Sequence, residues 1–196
     1  DTTDTEIQGP NGPIPLRIYE PATGEPPYRL LVYLHGGGWV RGSVEAYDPM
    51  IRRLANESES LVVAPDYRRA PEHPFPTPFE DCYRTAEWAA AHAEDILGDP
   101  DRLAIGGDSV GGNFTAAITH AAIDRDGPAF DHQVLIYPAV NAPRINWLES
   151  YDENGHGYFL EIESVEYYVD QYLQEEADFG NAYALPLRAK DFSGLP

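Results

Sequence analysis

Short apolar runs alternate with segments of helical periodicity along most of the chain. The runs predicted to form strands are residues 14–19, 30–34, 61–65, 102–106 and 133–137. Turn residues bracket the first run, so we expect it to be an edge or antiparallel strand. The alternation as a whole is typical of α/β proteins, in which a mostly parallel sheet is flanked by helices. We therefore expect an α/β fold.

Three segments between or after these runs are predicted to be helices. The first begins at Asp48 and Pro49 and continues to Leu54, because Asp caps helix N-termini and Pro is tolerated in the first turn. The second covers about residues 78–92. The third begins directly after Ser109, where apolar residues recur at helical spacing.

The pattern becomes more polar and aromatic in residues 141–180. One apolar stripe there has helical spacing. It consists of Ile162, Val165, Val169 and Leu173. We predict that this segment is part of a helical cap, between a core in residues 1–140 and a return to the core in residues 181–196. Most aromatic side chains of the segment are expected to pack on the core. They include Trp147, Tyr151, Tyr158 and Phe159.

The composition describes the surface of the protein and not its chemistry. The chain has 33 Asp and Glu residues against 13 Lys and Arg, and its formal net charge is -20. Such a surface repels nucleic acid and anionic membranes, so we expect neither as a partner. Lys190 is the single lysine, and many acids with almost no Lys resemble the composition of halophilic proteins. An ordinary acidic protein is the alternative.

Cys82 is the single cysteine and cannot form an intramolecular disulfide. It shares an apolar helix face with Phe79 and Ala86, which favours core packing over a reactive thiol. No N-terminal run has the basic start and apolar stretch of a secretory leader, and none reaches the roughly 18 apolar residues needed to span a bilayer. We therefore expect a cytoplasmic location and no membrane insertion.

The segment Gly107-Asp108-Ser109-Val110-Gly111 lies between a predicted strand and a predicted helix. Gly-x-Ser-x-Gly in this context is typical of a nucleophile elbow, a strained turn that exposes the serine hydroxyl. Larger flanking side chains would collide with the neighbouring strand and helix. The helix start also directs free N–H groups toward the place where an oxyanion would form. Ser109 is therefore the candidate nucleophile.

A second glycine-rich motif, His35-Gly36-Gly37-Gly38, directly follows the second predicted strand. A loop without side chains can direct consecutive N–H groups at a carbonyl oxygen and stabilise the negative charge that develops in acyl transfer. A flexible glycine turn is the alternative for this motif alone. The presence of Ser109 further along the chain favours the catalytic interpretation.

Four segments together resemble the hormone-sensitive-lipase-like esterases, also called bacterial family IV, of the α/β-hydrolases. They are residues 35–39 (HGGGW), 66–76 (DYRRAPEHPFP), 107–113 (GDSVGGN) and 153–160 (ENGHGYFL). The resemblance implies an α/β-hydrolase fold and a carboxylesterase that hydrolyses short-to-medium acyl esters through an acyl-serine intermediate. It also implies a small-molecule ester as the partner and no organic cofactor. No metal is expected, since no Cys/His cluster has ligand spacing.

The same resemblance implies roles for individual residues. Ser109 would attack the ester carbonyl, and the backbone N–H groups of Gly37, Gly38 and Val110 would form the oxyanion hole. Gly36 would shape the loop.

Two further residues are candidates for substrate contact. Trp39 directly follows the glycine loop, and Asp108 directly precedes the nucleophile.

The resemblance also implies that the acid and the histidine of the triad follow the nucleophile along the chain. No such pair is identified, and we expect none of the six histidines to be the base. We therefore interpret the chain as incomplete, ending before the last strands of the fold, with an unpaired apolar edge at residues 133–137. It is expected to form a homo-oligomer or to associate with the remainder of the enzyme.

A non-catalytic role is the alternative function. Members of the superfamily can lose the base and bind small molecules while keeping the glycine loop and the serine. These residues alone do not separate a binding module from an esterase.

Overall fold

The structure is a computed structural model that describes residues 1–196. Its strands are β1 (Thr2–Gly9), β2 (Gly12–Tyr19), β3 (Tyr28–Leu34), β4 (Ser60–Pro65), β5 (Gly98–Asp108) and β6 (His132–Ile136). They form one six-stranded sheet in the order β1-β2-β4-β3-β5-β6. The four neighbouring strands β4, β3, β5 and β6 are parallel to one another, whereas β1 and β2 pair antiparallel with their neighbours. The predicted mostly parallel sheet is confirmed.

Five α-helices connect and flank the strands. They are α1 (Val44–Ser58), α2 (Thr77–Ala91), α3 (Val110–Asp124), α4 (Glu149–Asn154) and α5 (Ile162–Tyr172). Short 3-10 helices occupy Glu94–Ile96, Glu176–Gly180 and Pro186–Arg188. None of the helices combines the length and the apolar character that a membrane crossing requires.

Strand β4 is buried along its whole length, and its side chains alternate between two cores. Leu61 and Val63 belong to a cluster of 33 buried residues to which α2 and α3 contribute. Val62 and Ala64 belong to a cluster of 7 buried residues on the opposite face, under α1. Because both faces are covered, this strand has the continuous apolar sequence from which it was predicted.

Strand β1 has no counterpart among the predicted strands. Its sequence is polar, and Ile7 is its single buried residue. The strand forms by antiparallel pairing with β2, where the Arg17 guanidinium donates hydrogen bonds of 2.6 and 2.9 Å to the Asp4 carboxylate. Sequence reasoning missed it because its backbone pairing leaves almost no apolar pattern.

The predicted start of the first helix at Asp48 was wrong. Helix α1 begins at Val44, and its N-cap is Ser43, whose hydroxyl accepts the Ala46 N–H at 3.0 Å. Pro49 therefore lies inside the helix, where it lacks the N–H that would bond four residues back. The helix tolerates this because Pro49 is exposed and the buried face is formed by other residues. Asp48 instead pairs with arginine side chains.

The second predicted helix is confirmed as α2, with Cys82 fully buried in the core. The apolar stripe predicted for the cap is confirmed in α5. Its members Ile162, Val169 and Leu173 are buried, and Val165 packs on the core. The aromatic residues before α5 behave differently, since several are exposed. These are Trp147, Tyr158 and Phe159. Our expectation that they pack on the core was wrong for these three residues; Trp147 instead contacts Tyr151 of α4, with the ring centroids 5.5 Å apart.

Candidate active site

Ser109 lies in a tight turn between the end of β5 and the start of α3. Its backbone angles are φ 55 and ψ -116, a strained conformation for a residue with a side chain. Its N–H donates to the Ile136 carbonyl at 2.9 Å, and its own carbonyl accepts the N–H groups of Ala139 and Asn113 at 3.0 and 3.1 Å. The strand, turn and helix predicted for a nucleophile elbow are all present.

The glycines around Ser109 are required by close backbone contacts. A Cβ atom on Gly107 would lie 2.4 Å from the Leu34 carbonyl oxygen, and one on Gly111 would lie 1.9 Å from the same atom. Leu34 is the last residue of β3 and directly precedes the glycine loop. The absence of side chains therefore lets the elbow lie directly against the start of that loop.

The glycine loop folds back on itself immediately after β3. The Arg41 N–H donates to the Gly37 carbonyl at 2.8 Å, and a Cβ on Gly37 would lie 2.0 Å from the Arg41 carbonyl oxygen. Gly37 and Gly38 have φ values of 134 and 63, which favour glycine. Both residues are half-buried, which leaves part of the loop accessible from outside.

The three predicted oxyanion-hole amides have no hydrogen-bond acceptor within the protein. The N–H groups of Gly37 and Gly38 belong to the loop, and the N–H of Val110 belongs to the first turn of α3, where amides lack intrahelical partners. The preceding amide, that of Gly36, is instead bonded to a side chain. Gly37, Gly38 and Val110 therefore present amide donors that no other group of the protein uses.

The buried side chain of Asp108 connects the elbow to the glycine loop. Its Oδ1 accepts the Tyr33 hydroxyl at 2.9 Å and the Gly36 N–H at 3.1 Å, and its Oδ2 accepts the Tyr47 hydroxyl at 2.8 Å. Burial, together with the Asp108 charge, raises the pKa of Tyr33 and Tyr47 above their usual range, so both phenols remain donors. Asp108 is 7 % exposed, so its carboxylate faces the protein interior. From the sequence we had expected this side chain to face the substrate.

His35 has a structural place in the loop. Its ring stacks on Tyr67 at 4.3 Å, and its Nδ1 lies 2.8 Å from the Gly36 carbonyl oxygen. The Tyr67 hydroxyl donates to the His35 carbonyl at 2.8 Å. Burial lowers the pKa of His35, which favours the neutral ring. These contacts hold the start of the glycine loop in place.

Trp39 is only 2 % exposed, and its ring stacks on Tyr172 of α5 at 4.7 Å. The neighbouring Tyr168 lies over the loop, since a Cβ on Gly38 would be 2.6 Å from its ring. Helix α5 therefore covers the outer side of the glycine loop. Trp39 is thus a buried packing residue in this structure, and its contact with a substrate stays a prediction.

None of the six histidines in the chain hydrogen-bonds to the Ser109 hydroxyl. His92 contacts the Trp88 carbonyl, His120 contacts Phe192, and His156 lies 3.3 Å from Glu161. His156 also groups with Glu161 and Glu163 within 4.8 Å at the exposed start of α5, an arrangement that sequence spacing did not suggest. This group is a surface cluster apart from the elbow.

Comparison with known proteins shows the family to which this chain belongs. Residues 31–196 match the model of a family with the alpha/beta hydrolase fold. The chain is 38% identical over its full length to the carboxylic ester hydrolase LipN of Mycobacterium tuberculosis, of which it covers 53%. It is 36% identical to an arylesterase of Saccharolobus solfataricus, covering 100% of this chain and 63% of the relative.

Solved structures of esterases are also similar to this chain. A hyperthermophilic esterase from the archaeon Pyrobaculum calidifontis superimposes with a TM-score of 0.94 at 41% identity, and the match covers 100% of this chain and 64% of the esterase. The structure of an arylesterase gives a TM-score of 0.93 at 36% identity. The chain thus spans between half and two thirds of the lengths of the relatives it matches.

Proposed function

Because the chain belongs to the alpha/beta hydrolase fold family, in its hormone-sensitive-lipase-like branch, we propose that it carries the nucleophile and the oxyanion hole of a carboxylesterase. The observation that carries the proposal is the set of unpaired amides at Gly37, Gly38 and Val110, in an elbow and a loop that pack against each other at Leu34 and His35. Preorganised donors of this kind stabilise the charge that develops on a carbonyl oxygen under attack.

In the proposed reaction the Ser109 Oγ attacks the ester carbonyl and its proton passes to a base. The carbonyl oxygen becomes an oxyanion held by the free amides, the alcohol leaves with a proton from the base, and water then hydrolyses the acyl-serine. No histidine of this chain hydrogen-bonds to the Ser109 hydroxyl, so we propose that the base lies in the part of the relatives' length that this chain does not span. No step requires a metal or an organic cofactor.

The proposed substrate is a small ester with a short-to-medium acyl chain. Residues 141–180 form the proposed cap, because α5 covers the glycine loop through Tyr168 and Tyr172. A cap over the loop would limit the length of the acyl group and exclude water.

Fluorophosphonate labelling of the full-length protein tests the nucleophile. We expect wild type to be labelled at a single site, Ser109→Ala to lose the label, and the loop control Ser193→Ala to keep it, as read by intact mass spectrometry. Ester hydrolysis, measured in parallel, should disappear only in Ser109→Ala. Ester binding without labelling or turnover in wild type would contradict the proposal and favour the non-catalytic binding module.

We also propose that the acidic surface is an adaptation to high salt. The formal net charge of -20 causes repulsion that salt screens, because the Debye length falls to about 3 Å at 1 M. The thermal midpoint should therefore rise from low salt to molar KCl in scanning calorimetry. An unchanged midpoint would favour an ordinary acidic protein.

A further inference from the structure

The buried Asp108 carboxylate bonds to three separate elements, one of which is the glycine loop. Asp108 ends β5 and accepts hydrogen bonds from Tyr33 in β3, Gly36 in the loop and Tyr47 in α1. None of these partners is a cation. A buried charge is costly unless hydrogen bonds replace its hydration, and three donors serve that purpose here.

Gly36 is held through both of its backbone polar groups. The Gly36 N–H is bonded to Asp108, and the Gly36 carbonyl oxygen lies 2.8 Å from the His35 Nδ1. A Cβ on Gly36 would lie 2.4 Å from the Asp108 Oδ2 and 3.0 Å from the Tyr47 hydroxyl, so the loop backbone lies directly on the carboxylate. The next two amides along the chain, those of Gly37 and Gly38, are the free ones.

The position of this contact suggests a role beyond stability. Asp108 adjoins Ser109 in sequence, and its carboxylate binds the residue that precedes the free amides. In this assignment Asp108 and its donors, together with the packing of the loop on the elbow, set the distance between the proposed nucleophile and the oxyanion donors. Errors of about 1 Å in such geometry reduce rates by orders of magnitude.

We propose that Asp108 is a positioning residue, which sets the direction of the oxyanion-hole amides relative to Ser109, and that Tyr33 and Tyr47 hold its carboxylate in place. The proposal rests on the esterase function proposed above. Asp108 touches neither substrate nor reacting atoms in this assignment. Its removal should weaken transition-state binding more than substrate binding.

The test uses the full-length protein with Asp108→Ala, Asp108→Asn, Tyr33→Phe and Tyr47→Phe. Tyr183→Phe is the matched control, because its hydroxyl donates to the Asp124 carboxylate at 2.8 Å, outside this network. For each variant, kcat and KM for an aryl acetate and the affinity for a trifluoromethyl ketone, which forms a tetrahedral adduct, would be measured. Circular dichroism and thermal midpoints would report folding.

We expect Asp108→Ala to lower kcat about 100-fold to 1,000-fold, the cost of losing an oxyanion donor, while KM changes little. Asp108→Asn keeps one acceptor oxygen and should recover part of this loss. Each Tyr→Phe change should cost about tenfold in kcat and in ketone affinity, and Tyr183→Phe should match wild type. If Asp108→Ala fails to fold, Tyr47→Phe alone decides the matter, because it removes a single half-buried hydroxyl.

Wild-type kcat in folded Asp108→Ala or Tyr47→Phe would overturn the positioning role. Equal losses of substrate and ketone affinity would also overturn it, since they indicate a purely structural contribution. Failure of the esterase proposal has a different signature, namely a wild type that is neither labelled by fluorophosphonate nor active on esters.

Discussion

Strands β3 and β6 both pair in parallel with β5, yet they differ in what covers them. In β3 the side chains of Leu30, Val32 and Leu34 are almost completely buried. In β6, Val134, Leu135 and Ile136 are 48%, 40% and 36% exposed. Ser109 depends on both sides, because the elbow packs on the end of β3 and bonds to the Ile136 carbonyl.

The opposite edge of the sheet shows that this exposure is not a general property of its edges. Strand β1 is an edge strand with polar side chains, as expected where a sheet meets water. Strand β6 has the apolar sequence of an interior strand. The comparison shows that the β3 side of the Ser109 turn is built by packing within these residues. We propose that the β6 side pairs with a further strand, from the same full-length protein or from a second copy.

The largest expected effect is on the β3 side. Gly111→Ala would place a Cβ 1.9 Å from the Leu34 carbonyl oxygen, and neither backbone can move without disturbing the elbow. We expect a loss of about 3 kcal/mol or more in the free energy of unfolding, at the upper end of overpacking effects. Urea denaturation measures it. Gly180→Ala is the control, since nothing lies within 4 Å of its Cβ; equal stabilities of the two variants would contradict the tight packing of this side.

A smaller effect on the same side depends on pH. Burial lowers the pKa of His35, so as the pH falls below about 6.5 the unfolded chain takes up a proton before the folded protein does. Stability should therefore fall with decreasing pH, by at most about 1.4 kcal/mol per pH unit. Carboxylates with lowered pKa, such as Asp4 and Asp48, lose their contribution only at lower pH. Urea denaturation of wild type and His35→Asn between pH 5 and 7 checks this, and a slope that persists in the variant would assign it to other groups.

The smallest expected effect on stability lies on the β6 side. Leu135→Lys replaces a side chain that is 40% exposed, so the free energy of unfolding should change by no more than about 0.5 kcal/mol. The same charge should reduce association of the 196-residue chain through this edge, as measured by sedimentation velocity. Thr3→Lys on the polar β1 edge is the control and should leave association unchanged. A monomeric wild-type chain of 196 residues would show that β6 does not pair with a second copy.

Most of the sheet could be predicted because buried parallel strands have continuous apolar sequences. The runs of β3 and β4 are examples. Strand β1 could not be predicted in this way, since backbone pairing and an exposed ion pair hold it in place. The start of α1 was misplaced because Asp48 and Pro49 resemble a helix start as closely as Ser43 does.

The sequence by itself determined where the strained serine turn and the glycine loop lie along the chain, because glycine is required wherever two backbones approach too closely for a Cβ. Only the tertiary structure decided how these parts are held. Tyr33 lies 75 residues before Asp108 in the chain, and Tyr47 lies 61 residues before it. No local pattern in the sequence marks these residues as partners. The burial of Trp39 under α5 has the same origin. A contact between distant segments depends on how the whole chain packs, whereas a steric limit at one backbone position is recorded in the residue itself.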